Sequence, residues 1–270
     1  MYYRAVGLLF PEALSRRSRQ LRFSVVVSLG VAGFILLLCV PPIPQDPAYH
    51  GFADQSTRFG IPHFGDVITN LAFGIVGCLG LAVFARKNSP SFAFRTEGLA
   101  YVVFVLGLLL TGLGSGWYHW SPTTERLFWD RLPMTLCFMS LFCAVISERV
   151  SPRLGEVLLG PLVFLGAASV VYWHVGERSG AGDLRFYGFV QFFPMLAIPL
   201  LLVLFPARYS HARYFWYAAG CYALAKLFEW LDEPILNLTR VVSGHNLKHL
   251  LAVAGGFSVI RMLPRRSVRP

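Results

Sequence analysis

Two histidines four residues apart, in His245-Asn246-Leu247-Lys248-His249, share one face of a helix, a turn apart. That spacing can bring two imidazoles to one metal ion, as in HExxH, although HxxxH alone carries little specificity. Ser115 and His119 have the same spacing in Gly114-Ser115-Gly116-Trp117-Tyr118-His119 and also share a face. Asp130 follows a short turn through Ser121-Pro122 and can return to the level of His119. Each has a structural explanation by itself: an interfacial histidine, a helix-capping carboxylate, a small-residue packing face around Ser115. Together they can set three imidazoles, one carboxylate and one hydroxyl at one level.

The elements that must carry them are membrane spans. Apolar residues make up 55% of the 270-residue chain, and with the 25 glycines about 64%, against roughly 45–50% in soluble domains. Charged residues are only 14%, against about 25%, and the mean hydropathy is +0.56. A soluble globular domain and a disordered chain are excluded. Eight apolar stretches near the roughly 20 residues needed to cross a bilayer run at 23–41, 66–85, 98–118, 131–147, 154–173, 186–205, 214–231 and 245–262. The first is too long for a signal-peptide core, and Pro41-Pro42-Ile43-Pro44 follows where a small-residue cleavage site belongs, so it reads as a retained anchor.

The net charge of +10 is a topology signal and not a nucleic-acid footprint. Of 24 Lys and Arg, 16 fall in loops on one side, including Arg16, Arg17, Arg19, Arg22, Lys87, Arg95, Arg208 and Arg266. Six fall on the other, and Lys226 and Lys248 lie within spans. Both termini are therefore expected in the cytoplasm, with the five polar candidates at non-cytoplasmic helix ends. All five cysteines lie in apolar segments, so no disulfide is expected.

The run 114–134, GSGWYHWSPTTERLFWDRLPM, taken with HNLKH at 245–249, resembles the alkaline ceramidase family of seven-helix membrane hydrolases, whose superfamily includes the adiponectin receptors. Ser115, His119, Asp130, His245 and His249 match that family's Ser-x-x-x-His, its later aspartate and its His-x-x-x-His. Asp66-Val67-Ile68-Thr69-Asn70-Leu71 is similar to its first-helix motif, with threonine for serine. The resemblance covers roughly residues 50–262. It implies an all-α polytopic membrane protein: a seven-transmembrane-helix hydrolase bundle at 46–263, preceded by a basic segment and one additional N-terminal transmembrane helix at 1–45 and followed by a basic tail at 264–270. The calcium-binding loop of eukaryotic members is not matched, because Asp54 and Asp66 alone make a poor calcium site.

Three neutral imidazoles with one open position make a catalytic zinc site. His119, His245 and His249 are the expected zinc ligands. The resemblance implies Asp130 as the proton acceptor, and Ser115 could donate to a developing oxyanion. An amide cleaved inside a bilayer points to a membrane lipid substrate such as ceramide, split into a fatty acid and a sphingoid base. Residues 1–45 hold none of the five and are expected to be dispensable for the chemistry. The rivals are a haem protein clamping iron between His119 and one of His245 or His249, and a receptor-like member of the fold with little hydrolysis. Lys226 and Glu229 are expected to pair, Lys248 to snorkel or form an ion pair, and one of Glu229, Asp232 and Glu233 could support the site.

Overall fold

Apolar helices with satisfied internal hydrogen bonds are what a lipid environment permits, and the chain has little else. The computed structural model describes residues 14–86, 90, 92–94 and 96–269. Arg4, Lys87 and Arg95 of the charge pattern lie outside the described residues, as do residues 1–13 and 270 of the two outlying segments. In chain order the helices are α1 (Arg16–Leu38), α2 (Phe64–Thr69), α3 (Leu71–Ala85), α4 (Glu97–Trp120), α5 (Thr124–Arg149), α6 (Pro152–Arg178), α7 (Arg185–Leu204), α8 (Arg213–Trp230), α9 (Asp232–Thr239) and α10 (Gly244–Met262). Among the described residues there is no strand.

Each of the eight expected stretches is helical. Seven helices among the described residues are long and apolar enough to cross a membrane, with α2 and α3 acting as one span broken at Asn70. The eighth, α8, stands at the expected 214–231 but carries Arg213, Lys226 and Glu229 in its 18 residues. The protein is an all-α polytopic membrane protein. Helix α1 begins at Arg16, so Arg16, Arg17, Arg19 and Arg22 form its first turns and not a preceding loop.

Helix α5 is the most deeply buried span, packed by α4, α6 and α7, while α10 packs on α8 and α3. Helix α1 lies on the outside against α7.

At the arginine-rich end two buried ionic clusters join distant parts of the chain. Glu97 of α4 pairs with Arg208 and accepts from Tyr209. Glu148 of α5 pairs with Arg266 and accepts from Tyr101. The Arg266 guanidinium also lies over the rings of Phe92, Tyr101 and Tyr209. The stretch after α10 is therefore not a free basic tail: Arg266 is buried, and Arg269 donates to Arg208 O at 2.8 Å. Removing one partner of such a pair strands a buried charge, which typically costs about 3–5 kcal/mol. Arg266→Ala should lower thermal stability by that order in detergent unfolding, whereas Arg265→Ala, at an exposed position, should change it little.

Candidate metal centre

The site forms where the C-terminal end of α4, the second turn of α5 and the first two turns of α10 meet. The turn Ser121–Thr123 reverses the chain, and the Thr123 side chain caps α5 by accepting from Arg126 N. Asp130 is therefore not the helix cap; it lies inside the helix and lines the same cavity as Ser115 of α4. The two helices approach closely here: a Cβ on Gly114 would run into the Trp129 carbonyl and stand 3.6 Å from Asp130 N.

Helix α10 starts with a reciprocal cap. Ser243 accepts from Asn246 N and the Asn246 side chain accepts from Ser243 N, both at 3.1 Å. Asp232 then accepts from His245 N at 2.7 Å and, through its other oxygen, from Ala53 N at 3.0 Å. This one carboxylate fastens the 51–63 loop to the first turn of α10. The loop's Phe52 covers the histidines, its ring centred 4.6 Å from that of His119 and 4.5 Å from that of His245.

His119, His245 and His249 are all buried, and one nitrogen from each can be chosen so that all three lie within 4.8 Å of one another. The Nε2 atoms of His119 and His245 are 3.3 Å apart. Two ligands at about 2.0–2.1 Å from a tetrahedral zinc stand about 3.3–3.4 Å from each other, so that spacing fits. The protonation of His249 follows from its neighbours. Thr69 gives its single hydroxyl proton to Gly65 O at 2.7 Å, so it accepts from His249 Nδ1–H at 2.9 Å. That leaves His249 Nε2 as the free lone pair, the ligand form, with Thr69 orienting the ring. Buried Nδ1 of His119, Oδ2 of Asp66 and Oδ1 of Asn70 have no protein hydrogen-bond partner.

Other sequence readings resolve as follows. Lys226 and Glu229 pair, and Lys248 reaches the same Glu229 at 3.1 Å. Asp54 accepts from Ser56 N and Gly65 N, and Asp66 accepts from Asn246 Nδ2 at 2.6 Å, so both carboxylates organise the loop beneath α10. Haem is a poor fit, because the three imidazole rings pack against one another at 4.7–4.9 Å between centroids and leave no slot for a flat macrocycle. The supporting role of Asn246 and Phe52 was missed; the Ser243-x-x-Asn246 capping pattern was the available signal.

Beside the histidines opens a cavity of about 840 Å³, mostly apolar, with Ser115, Asp130, Lys248 and His249 at its polar end.

Helices long enough to cross a bilayer, a buried three-histidine group and an apolar cavity beside it define the class: a polytopic membrane protein with a candidate metal centre facing a lipid-sized space. A family model described as Ceramidase matches residues 61–230, well over half of the chain, and the protein belongs to that family. Membership makes it a ceramidase-like hydrolase, and it implies a lipid substrate. The match includes Ser115, His119 and Asp130 and stops before His245 and His249, which the fold brings to His119. No curated protein matches the chain.

Gly114→Ala should destabilise the protein by about 1–3 kcal/mol through overpacking at the α4–α5 contact, whereas Gly160→Ala, with open space around its Cβ, should not. Paired thermal unfolding curves check this.

His50 bonds to Tyr118 Oη at 2.8 Å and to Thr124 at 3.1 Å. Burial, helped by the charge on Arg131, holds its imidazole below the ordinary value. The unfolded chain therefore takes up a proton first, and this contribution to stability is full above about pH 6.5 and declines as pH falls below it. His50→Asn should flatten that decline in melting temperatures measured between about pH 8 and pH 5.

Proposed function

We propose that the protein is a zinc-dependent intramembrane hydrolase of lipid amides, converting ceramide or a related N-acyl lipid and water to a fatty acid and a sphingoid base. The observation that carries this reading is a buried three-histidine group with one member, His249, lining a mostly apolar cavity together with Ser115 and Asp130. His119, His245 and His249 would hold the metal. Zinc bound there would polarise the amide carbonyl and lower the pKa of water to about 7. Asp130 takes the proton of the attacking water and later returns it to the departing amine. Ser115, which lines the same cavity as Asp130, offers its hydroxyl to the oxyanion as charge develops. Thr69 and Asp232 position His249 and the first turn of α10. Phe52 shields the histidines from the aqueous loop side.

In the same proposal residues 46–263 form the catalytic bundle, with 1–45 and 264–270 as the added segments. Both termini face the cytoplasm, and the site lies toward the opposite leaflet, where a lipid enters sideways. The arginine distribution supports this orientation: Arg22, Arg149 and Arg208 cluster at the end of the bundle away from the histidines.

Purified protein should carry one zinc per chain and release fatty acid from N-acyl sphingosines, and His249→Ala should lose the zinc. Asp130→Asn should keep zinc and lose about 10²–10⁴-fold in rate. Ser115→Ala should keep zinc with a loss on the order of 10²–10³-fold. Zinc content and rate per zinc-loaded molecule are the measurements; no zinc in the wild type, or full specific activity in Asp130→Asn, would overturn the mechanism.

A further inference from the structure

The added helix α1 is built into the cavity and not only into the membrane. Val26, Leu29, Gly33 and Leu37 line it, recurring at helical spacing along one face. The opposite face, with Val31 and Ile35, is open to lipid, each more than half exposed; Leu29 and Leu36 lie at the edge of the cavity face and are exposed as well, while Val26 is buried. From Leu37 to Val26 that face extends about 16 Å, comparable with the roughly 15 Å that the cavity follows α10 from His249 to Val259.

The docking is specific. Arg22 donates to Leu204 O at 2.5 Å at one end, and Arg185 reaches Leu38 O and Val40 O at the other. Phe34 packs edge-on against Phe186 and Phe189. Two glycines divide the labour. A Cβ on Gly30 would stand 2.8 Å from Phe193 Cζ, so Gly30 serves the contact with α7. A Cβ on Gly33 would meet only Phe189, at 3.8 Å, so Gly33 leaves room inside the cavity.

We infer that α1 is the wall of the acyl-chain pocket, and that the space left by Gly33 sets how long a chain the enzyme accepts. This rests on the lipid-amide reading for its substrate. A long acyl chain starting at the histidines runs along α1 past Gly33 toward Val26, while a hexanoyl chain reaches no further than Gly33. Removing residues 1–45 would leave the catalytic side chains in place but open the pocket sideways to bulk lipid.

The test has two arms in lipid nanodiscs. The first compares hydrolysis of N-hexanoyl and N-stearoyl sphingosine by wild type, Gly33→Phe and Ile35→Phe, the last facing outward. Gly33→Phe should reduce the stearoyl-to-hexanoyl rate ratio by at least roughly tenfold, as an overpacking cost of ordinary size implies. Ile35→Phe should leave the ratio unchanged. An unchanged ratio in folded, active Gly33→Phe would overturn the inference. Failure of the wild type to cleave either amide would instead sink the lipid-amide reading.

The second arm does not need turnover. An N-acyl sphingosine carrying a diazirine at its chain end is photolysed on the protein, and the labelled positions are mapped by mass spectrometry. Label on buried Val26 that excess N-stearoyl sphingosine removes supports the wall. Label confined to Val31 and Ile35 and indifferent to competitor, or absent from α1, overturns it.

Discussion

Two backbone amides, His245 N–H and Ala53 N–H, converge on the Asp232 carboxylate, and the geometry of the site depends on that convergence. Both donors belong to segments that could not find each other through apolar packing alone: a loop before the first span of the bundle and the opening turn of the last helix. The carboxylate lies at a helix N-terminus, where the exposed amides and the dipole favour an anion. Once it is in place, Phe52 lies over two of the imidazoles and the α10 histidines are held at the depth of His119. Thr69 and Asn246 then fix ring orientation and the loop beneath. A chain of hydrogen bonds from neutral and acidic groups keeps three buried imidazoles in one arrangement.

The opposite end of the bundle uses a different economy of charge. Glu97 with Arg208 and Glu148 with Arg266 form ion pairs deep among aromatic rings. These particular arginines are structural clamps and not solvated loop charges. Arg131, at the site end, behaves likewise. It donates to Gln45 at 2.7 Å and lies over Trp173 and Tyr187, so it joins the linker after α1 to α5 and α7. Membrane proteins concentrate buried polar contacts at span ends because water is near enough to lower their desolvation cost.

Between these two polar layers the cavity is mostly apolar, and that contrast is what links fold to chemistry. A carboxylate, a hydroxyl and the His249 imidazole beside a mostly apolar body suit an amphiphilic lipid. Helix α1 contributes to the second part only.

Much of this was legible in the amino-acid order. Eight apolar runs of spanning length give an all-α membrane bundle, because lipid leaves the backbone no other way to satisfy its hydrogen bonds. The i, i+4 spacing of Ser115 with His119 and of His245 with His249 fixes each pair on one helical face, a local property of the 3.6-residue turn. What the sequence could not decide is the distance between faces. That His119 Nε2 comes to 3.3 Å from His245 Nε2, across 126 residues, depends on α4, α5 and α10 packing through Gly114 and on the Asp232 link. Asp130 could be read as a helix cap because its own neighbours permit it; only the start of α5 at Thr124 turns it inward toward Ser115. Helix α1 could be read as a bare anchor because its composition is that of one, and only its packing on α7 gives it a face in the cavity. Periodicity is carried by neighbouring residues in the chain, whereas convergence comes from long-range packing, which no single segment encodes.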